Sequence, residues 1–316
     1  MLEHAAADVP SRSGYSPFGS ELTQGQTDHR DQIDYAPEVS SRPSSSFVPH
    51  RLLGPNQFLP DAALPAHRDT TLAYFAAAQQ LAAQLTRALE AALQLPAGAL
   101  ECYMRSEQDD GYARMKAIRY PAGSAVDGTE RKGEQGVGAH KDGGWLTLLA
   151  TDTAKGLQVQ LGTGEWVDVP HRPGCIVVNA GQQLERVSRG ALVAATHRVR
   201  SEAGGQERYS VRRSGEARGV QVLMAVSLSI VALCALHFFP HRQVAFFSMP
   251  ALSSVVEPLP ESLLGNSGAK ALEARKSDVP AQDLWGAAEE PFGAVAWRGI
   301  SRSHPNVVQR WHTDVA

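Results

Sequence analysis

The sequence predicts a mainly β fold with flanking helices, on three observations. Between residues 146 and 179, short runs rich in Val, Leu, Ile and Thr follow one another, each closed off by Gly or Pro. One long segment, Asp69 to Leu95, instead carries leucines every four residues. With 316 residues, 43% of them hydrophobic, the chain can bury a sizeable core.

The first 50 residues are polar and rich in Ser, Asp, Gln and Pro, a composition that by itself reads as disordered. The helix comes next. Asp69 or Thr70 can cap its start. Leu81, Leu85, Leu89 and Leu93 form one apolar face, and Pro96 and Gly98 end it. Arg114 to Tyr120 reads as a strand, and Gly123 to Gly138 as a Gly- and charge-rich loop bordering a site mouth. From His140 to Ala150, Gly156 to Gln160, Gly164 to Pro170, Pro173 to Asn179 and Thr196 to Val199, the pattern is that of an antiparallel β core. Gly265 to Ala288 is polar and mixed, as in a linker, and His304 and His312 are expected at the surface.

His140-Lys-Asp142 and His197 carry the candidate chemistry. Two imidazoles and one carboxylate form the ligand set of mononuclear non-heme Fe(II) sites, which keep open positions for co-substrate and O₂. Positions i and i+2 of a strand share a face, so His140 and Asp142 can reach one point. His197, 57 residues later, must come from another strand. Arg208 and Ser210 follow, a guanidinium and a hydroxyl on one strand face, able together to grip a carboxylate. A lone His-x-Asp arises easily by chance among 11 histidines. The sequence between the ligands is what gives it weight.

That sequence, His140-Lys-Asp-Gly-Gly-Trp-Leu-Thr-Leu-Leu-Ala150 through Pro173-Gly-Cys-Ile-Val-Val-Asn179 to Thr196-His-Arg-Val199, closely resembles the isopenicillin N synthase-like family of iron- and 2-oxoglutarate-dependent oxygenases. The resemblance runs from Gly14-Tyr15 and Gly54-Pro-Asn-Gln57 to Arg302-Ser-His-Pro305. It implies a double-stranded β-helix, or jelly-roll, core with helices outside. It implies that His140, Asp142 and His197 bind Fe(II), and that Arg208 and Ser210 hold the far carboxylate of 2-oxoglutarate. Tyr120 matches a tyrosine that often assists there, although Ile118 stands where many plant members have Asn. The implied reaction consumes O₂ and 2-oxoglutarate, releases succinate and CO₂, and most often hydroxylates a small organic substrate of secondary metabolism. An oxidase that dispenses with 2-oxoglutarate remains an alternative, as does an inactive or membrane-tethered form.

The last alternative arises from Val220 to Phe239, which is apolar and about long enough to span a bilayer. It begins just after Ser210 and ends before Val244-Ala-Phe-Phe247. By the resemblance these flanks form one continuous strand, which a spanning helix would divide across a membrane. Residues 211–243 are therefore expected to be an insert of 33 residues, either a retained intron or a real hydrophobic excursion on the barrel rim. Val codons begin with GT and one Gln codon ends in AG, so both boundaries allow splice signals.

The expected organisation is an N-terminal helical support region, 1–100, that lacks the family's first element. An oxygenase core, 101–260, follows, interrupted by 211–243, and then an extension, 261–316, packed on the core. Net charge −3 offers no argument for nucleic acid or an anionic membrane. Cys102, Cys175 and Cys234 show no paired spacing, which suits a reducing, cytoplasmic setting. Met1 to Pro10 has no apolar run of the signal-peptide kind. The expected partner is a small-molecule substrate, with the chain a monomer and a membrane role not expected despite residues 219–240.

Overall fold

In the computed structural model, which describes residues 14–40, 47–105, 110–120, 135–153, 155–200, 242–264, 290–303, 309 and 312, the β-rich runs pair into two facing antiparallel sheets. The strands are β1 (Gly14–Ser16), β2 (Leu22–Thr23), β3 (Gln26–Thr27), β4 (Asp31–Tyr35), β5 (Ala113–Arg119), β6 (Gln135–His140), β7 (Leu146–Ala150), β8 (Leu157–Gln160), β9 (Trp166–Asp168), β10 (Val177–Ala180), β11 (His197–Arg200) and β12 (Arg242–Ser248). The larger sheet has the order β1-β4-β5-β12-β7-β10, the smaller β6-β11-β8-β9, and β2 pairs with β3 as a separate hairpin. From β5 onward the chain passes back and forth between the two large sheets, which makes the double-stranded β-helix expected from the sequence. Ile118, Leu149 and Ala245 of one sheet pack against Val137, Leu157 and Val199 of the other and close the interior.

The outer face of the larger sheet carries helix α1 (His67–Ala92). Leu81, Leu85 and Leu89 are buried as the four-residue period requires, and Phe75 meets Phe246 of β12 edge-on at 5.2 Å. The start of α1 differs from the expectation. Ala66, in a left-handed conformation, occupies the cap position with no side-chain cap bond, and neither Asp69 nor Thr70 serves there. Tertiary contacts fix the start instead. Leu59 N–H donates to His67 Nδ1 at 3.1 Å, and His67 Nε2 lies 2.9 Å from the Tyr35 hydroxyl. The short helices α2 (Gln182–Val187) and α3 (Glu261–Leu264) and the C-terminal helix α4 (Phe292–Ser303) complete the described elements.

The polar N-terminal stretch is ordered where described, because its charges are paired inside the fold. Arg30 Nη2 donates to Glu21 at 2.7 Å and Gln32 Nε2 to Asp34 at 2.7 Å, while Arg114 of β5 bonds Asp34. Lys116 lies 3.5 Å from Glu21, and burial pushes its ammonium down to about 8. Composition alone therefore misreads residues 14–35, which add β1 and β4 to the larger sheet. Residues 135–138, expected in a loop, belong to β6. His312, expected at the surface, is buried and stacks edge-on against Trp297 at 5.0 Å. Strand β12 begins at Arg242, so the last two residues of the expected insert, Arg242 and Gln243, take ladder positions opposite Arg119 and Ile118. His304, the segment 265–289 and the rest of the expected insert, 211–241, lie outside the described residues.

Candidate metal centre

Strand β6 ends on His140 and β11 begins on His197, and the two residues are direct partners across the ladder. Their rings stand 4.3 Å apart, centroid to centroid. Asp142 is not on the strand, as strand spacing suggested, but in the loop that follows it. That loop is held by backbone bonds from the start of α2. Gln182 N–H donates to Asp142 O at 2.8 Å, Gln183 N–H to Gly144 O at 3.0 Å, and Gly181 N–H to Trp145 O at 2.7 Å. A Cβ on Gly181 would come within 2.2 Å of Gly144 O, so glycine is what allows this approach. Lys141, between the two site residues, turns away and reaches Glu185 of α2 at 3.2 Å.

Hydrogen bonds from the rings fix their protons. His140 Nδ1 lies 2.8 Å from Gly138 O, and His197 Nδ1 lies 3.0 Å from Ala195 O. A carbonyl only accepts, so in neutral rings both Nδ1 atoms carry the proton and both Nε2 atoms present lone pairs. Those lone pairs point toward Asp142 Oδ1, at 3.7 Å for His140 and 3.6 Å for His197. One donor atom from each of the three residues lies within 4.8 Å of the others. Loss of hydration, followed by the neighbouring His197, pushes the His140 imidazole down to about 3, so it is neutral at physiological pH. Burial would raise the Asp142 carboxyl, but the two histidines and hydrogen bonds from Thr147 and Asn179 outweigh it and hold it low. Two imidazole Nε2 atoms and a carboxylate facing one another form a donor set that a divalent cation completes. The His140 side chain is 29% exposed against 4% for Asp142, so the centre opens on the His140 side.

Tyr120 lies just past β5, and its ring faces Gly136 and Val199 in the barrel interior. Its hydroxyl bonds Arg30, and burial raises it above the ordinary phenol range. Arg208 and Ser210 lie outside the described residues. Sequence reasoning missed Thr147, whose Oγ1 donates to Asp142 Oδ2 at 2.7 Å. The signal available was a hydroxyl in an otherwise apolar strand, five residues after the carboxylate.

The profile of the 2OG-Fe(II) oxygenase superfamily matches residues 112–213. The chain is 30% identical, over 307 residues, to the 2-oxoglutarate-dependent dioxygenase frbJ of Dothideomycetidae sp., an alignment covering 96% of this chain and 72% of that one. It is 32% identical over 188 residues to the homoarginine-6-hydroxylase 2-ODD-C23 of Glycine max, covering 59% of this chain and 55% of that one. In fold it is similar to a full-length Neurospora crassa protein crystallised with alpha-KG and thymine. The TM-score is 0.56 at 21% identity, with 96% of this chain and 75% of that one covered.

Proposed function

The chain belongs to the 2OG-Fe(II) oxygenase superfamily, and on that premise we propose that it oxidises a C–H bond of a small organic substrate, with His140, Asp142 and His197 holding one Fe(II). The observation that carries the reading is the convergence of two imidazole Nε2 atoms on one carboxylate oxygen. Donor type, spacing and charge all suit an open-faced iron site. Iron and 2-oxoglutarate, when bound, supply the oxidising power, with 2-oxoglutarate leaving as succinate and CO₂. The chain's own work is to bind, orient and exclude water. The backbone carbonyls of Gly138 and Ala195 keep both imidazoles in the ligating tautomer, and no side chain is needed as a general base. The far carboxylate of 2-oxoglutarate is assigned to Arg208 and Ser210, with Tyr120 assisting from the interior.

Hydroxylation of a small substrate is favoured because the relatives are named dioxygenases and a hydroxylase, and the Neurospora crassa protein was crystallised in complex with alpha-KG and thymine. The same names leave no support for the oxidase that dispenses with 2-oxoglutarate. A monomer in the cytoplasm is the reading that accompanies this function; among the described residues no helix is long and apolar enough to cross a membrane. The catalytic core is assigned to 101–260 and the flanking regions to 1–100 and 261–316, with β1 and β4 of the first completing the core's larger sheet.

The test is an anaerobic titration of Fe(II) and then 2-oxoglutarate into the purified chain, following the visible metal-to-ligand charge-transfer absorbance. The expected result is a saturable band that Asp142→Ala and His197→Ala abolish. Iron binding without a band, at any 2-oxoglutarate concentration, would overturn the 2-oxoglutarate assignment.

A further inference from the structure

Asp142 has two carboxylate oxygens, and the fold treats them differently. Oδ1 faces both imidazole Nε2 atoms, at 3.7 and 3.6 Å. Oδ2 accepts the Thr147 hydroxyl at 2.7 Å, and the Asn179 side-chain amide also bonds the carboxylate. Thr147 and Asn179 are direct partners across β7 and β10, so their side chains rise from one row on one face of the sheet. Thr147 is rigidly placed. Thr147 is 4% exposed between the buried Leu146 and Leu148, in a strand with a paired neighbour on each side. The backbone on which Asp142 sits is tied separately, through its carbonyl, to Gln182 N–H. The carboxylate can therefore swing little about its own side-chain bonds, and its second oxygen is already committed to a donor.

We infer that Thr147, supported by Asn179, is a positioning residue that keeps Asp142 a one-oxygen ligand of the iron and thereby reserves a coordination position for 2-oxoglutarate. This rests on the iron-site reading above. A carboxylate whose second oxygen is free can chelate a metal through both oxygens, whereas one whose second oxygen accepts a strong hydrogen bond presents only one. A three-residue face leaves three positions. The keto-acid end of 2-oxoglutarate would need two of these and O₂ the last, so a second oxygen from Asp142 would compete with the co-substrate and not with the iron. Removing the Thr147 hydroxyl is thus expected to separate two affinities that a merely structural residue would leave together.

The experiment compares the wild-type chain with Thr147→Val, which keeps the side-chain volume but not the donor, and Thr147→Ser, which keeps the donor. Fe(II) affinity is measured first under anaerobic conditions, then the 2-oxoglutarate concentration that half-saturates the charge-transfer band. Circular dichroism and the melting midpoint of the metal-free proteins report folding. For Thr147→Val the expected result is Fe(II) affinity within about threefold of wild type and a 2-oxoglutarate half-saturation raised about tenfold or more. Thr147→Ser should restore the wild-type value. A folded Thr147→Val variant that half-saturates as the wild type does would overturn the inference. So would one that loses iron and 2-oxoglutarate in equal measure. A wild type that binds no iron would overturn the iron-site reading, and one that binds iron without a band the 2-oxoglutarate assignment; either takes the inference with it. If Thr147→Val fails to fold, Asn179→Ala and Thr147→Ser carry the comparison: a raised half-saturation in the first and a wild-type one in the second support the inference, and wild-type values in both overturn it.

Discussion

Glu90 near the end of α1 shows how single residues decide both stability and legibility. Its carboxylate accepts the backbone N–H groups of Gly98, Leu100 and Glu101, at 3.0, 2.8 and 2.8 Å, closing the turn after the helix. Burial pushes this carboxyl upward, but those three donors and Arg87 outweigh it and hold it below the usual carboxylate range. A value lowered in the folded state gives stability that is fully present above the unfolded carboxyl pKa, about 4.3, and is lost as pH falls through the folded value. Glu90→Gln is therefore expected to lower stability at neutral pH by roughly 1–3 kcal/mol and to flatten the acid limb of a pH–stability curve from urea unfolding. An unchanged acid limb would show that the ion is not the source of the effect. At the co-substrate end, Arg208→Met is expected to raise the 2-oxoglutarate half-saturation about tenfold or more through loss of a charge-assisted fork. Tyr120→Phe should act more weakly, because the Tyr120 hydroxyl already bonds Arg30. Equal half-saturation in Arg208→Met and wild type would place the anchor elsewhere. The cluster of His140, Asp142 and His197 was legible through the resemblance carried by the sequence between them, since a His-x-Asp alone arises easily among 11 histidines. Thr147 was not, because a threonine in a strand is ordinary until its partner is known.

Elements were legible where an apolar period meets the core and illegible where glycine or paired charge replaces it. Leu81, Leu85 and Leu89 of α1 fall on the buried face as expected, Leu93 lies past the helix end and is half-buried, and the start answers to His67 and not to a cap. Strand β6 lacks the apolar alternation that announces a strand, because two of its residues are glycines that cannot be larger. A Cβ on Gly138 would come within 2.8 Å of Thr23, and one on Gly136 within 3.1 Å of both Tyr120 and Val199. β4 hides its identity differently, burying Gln32 and Asp34, which bond each other while Asp34 also pairs with Arg114 of β5. Glycine also governs the junction between α2 and the metal loop. Gly181→Ala is expected to cost roughly 1–3 kcal/mol through overpacking and to weaken Fe(II) binding with it, read by thermal unfolding and by metal titration. Retention of full iron affinity would separate the junction from the site. For β12, removal of 211–243 would place Ser210 directly before Val244, opposite Ile118 where Gln243 now stands. The deleted chain is expected to bind 2-oxoglutarate more tightly than the full one in the same titration. Equal or weaker binding would count against the insert reading, as would transcripts that always include the segment.

Over the whole molecule, the jelly-roll topology was legible only through the resemblance, since alternation and turn signals say that strands exist but not which ones pair. The pairing is strongly non-local. β11 lies between β6 and β8, and β12 between β5 and β7, so the last strands of each sheet are inserted into its middle. Such long-range closures make folding slow relative to helical proteins of similar size. The insertion of β11 also sets a schedule for synthesis. While the chain is still emerging from the ribosome, His140 and Asp142 are available long before His197, which is both the remaining imidazole and the first residue of the strand that bridges β6 and β8. At about 5–20 residues per second, the gap between His140 and His197 amounts to several seconds, during which the nascent barrel has an open seam and only part of the proposed metal-binding face. Iron is therefore expected to be acquired after translation has passed β11, as the seam closes.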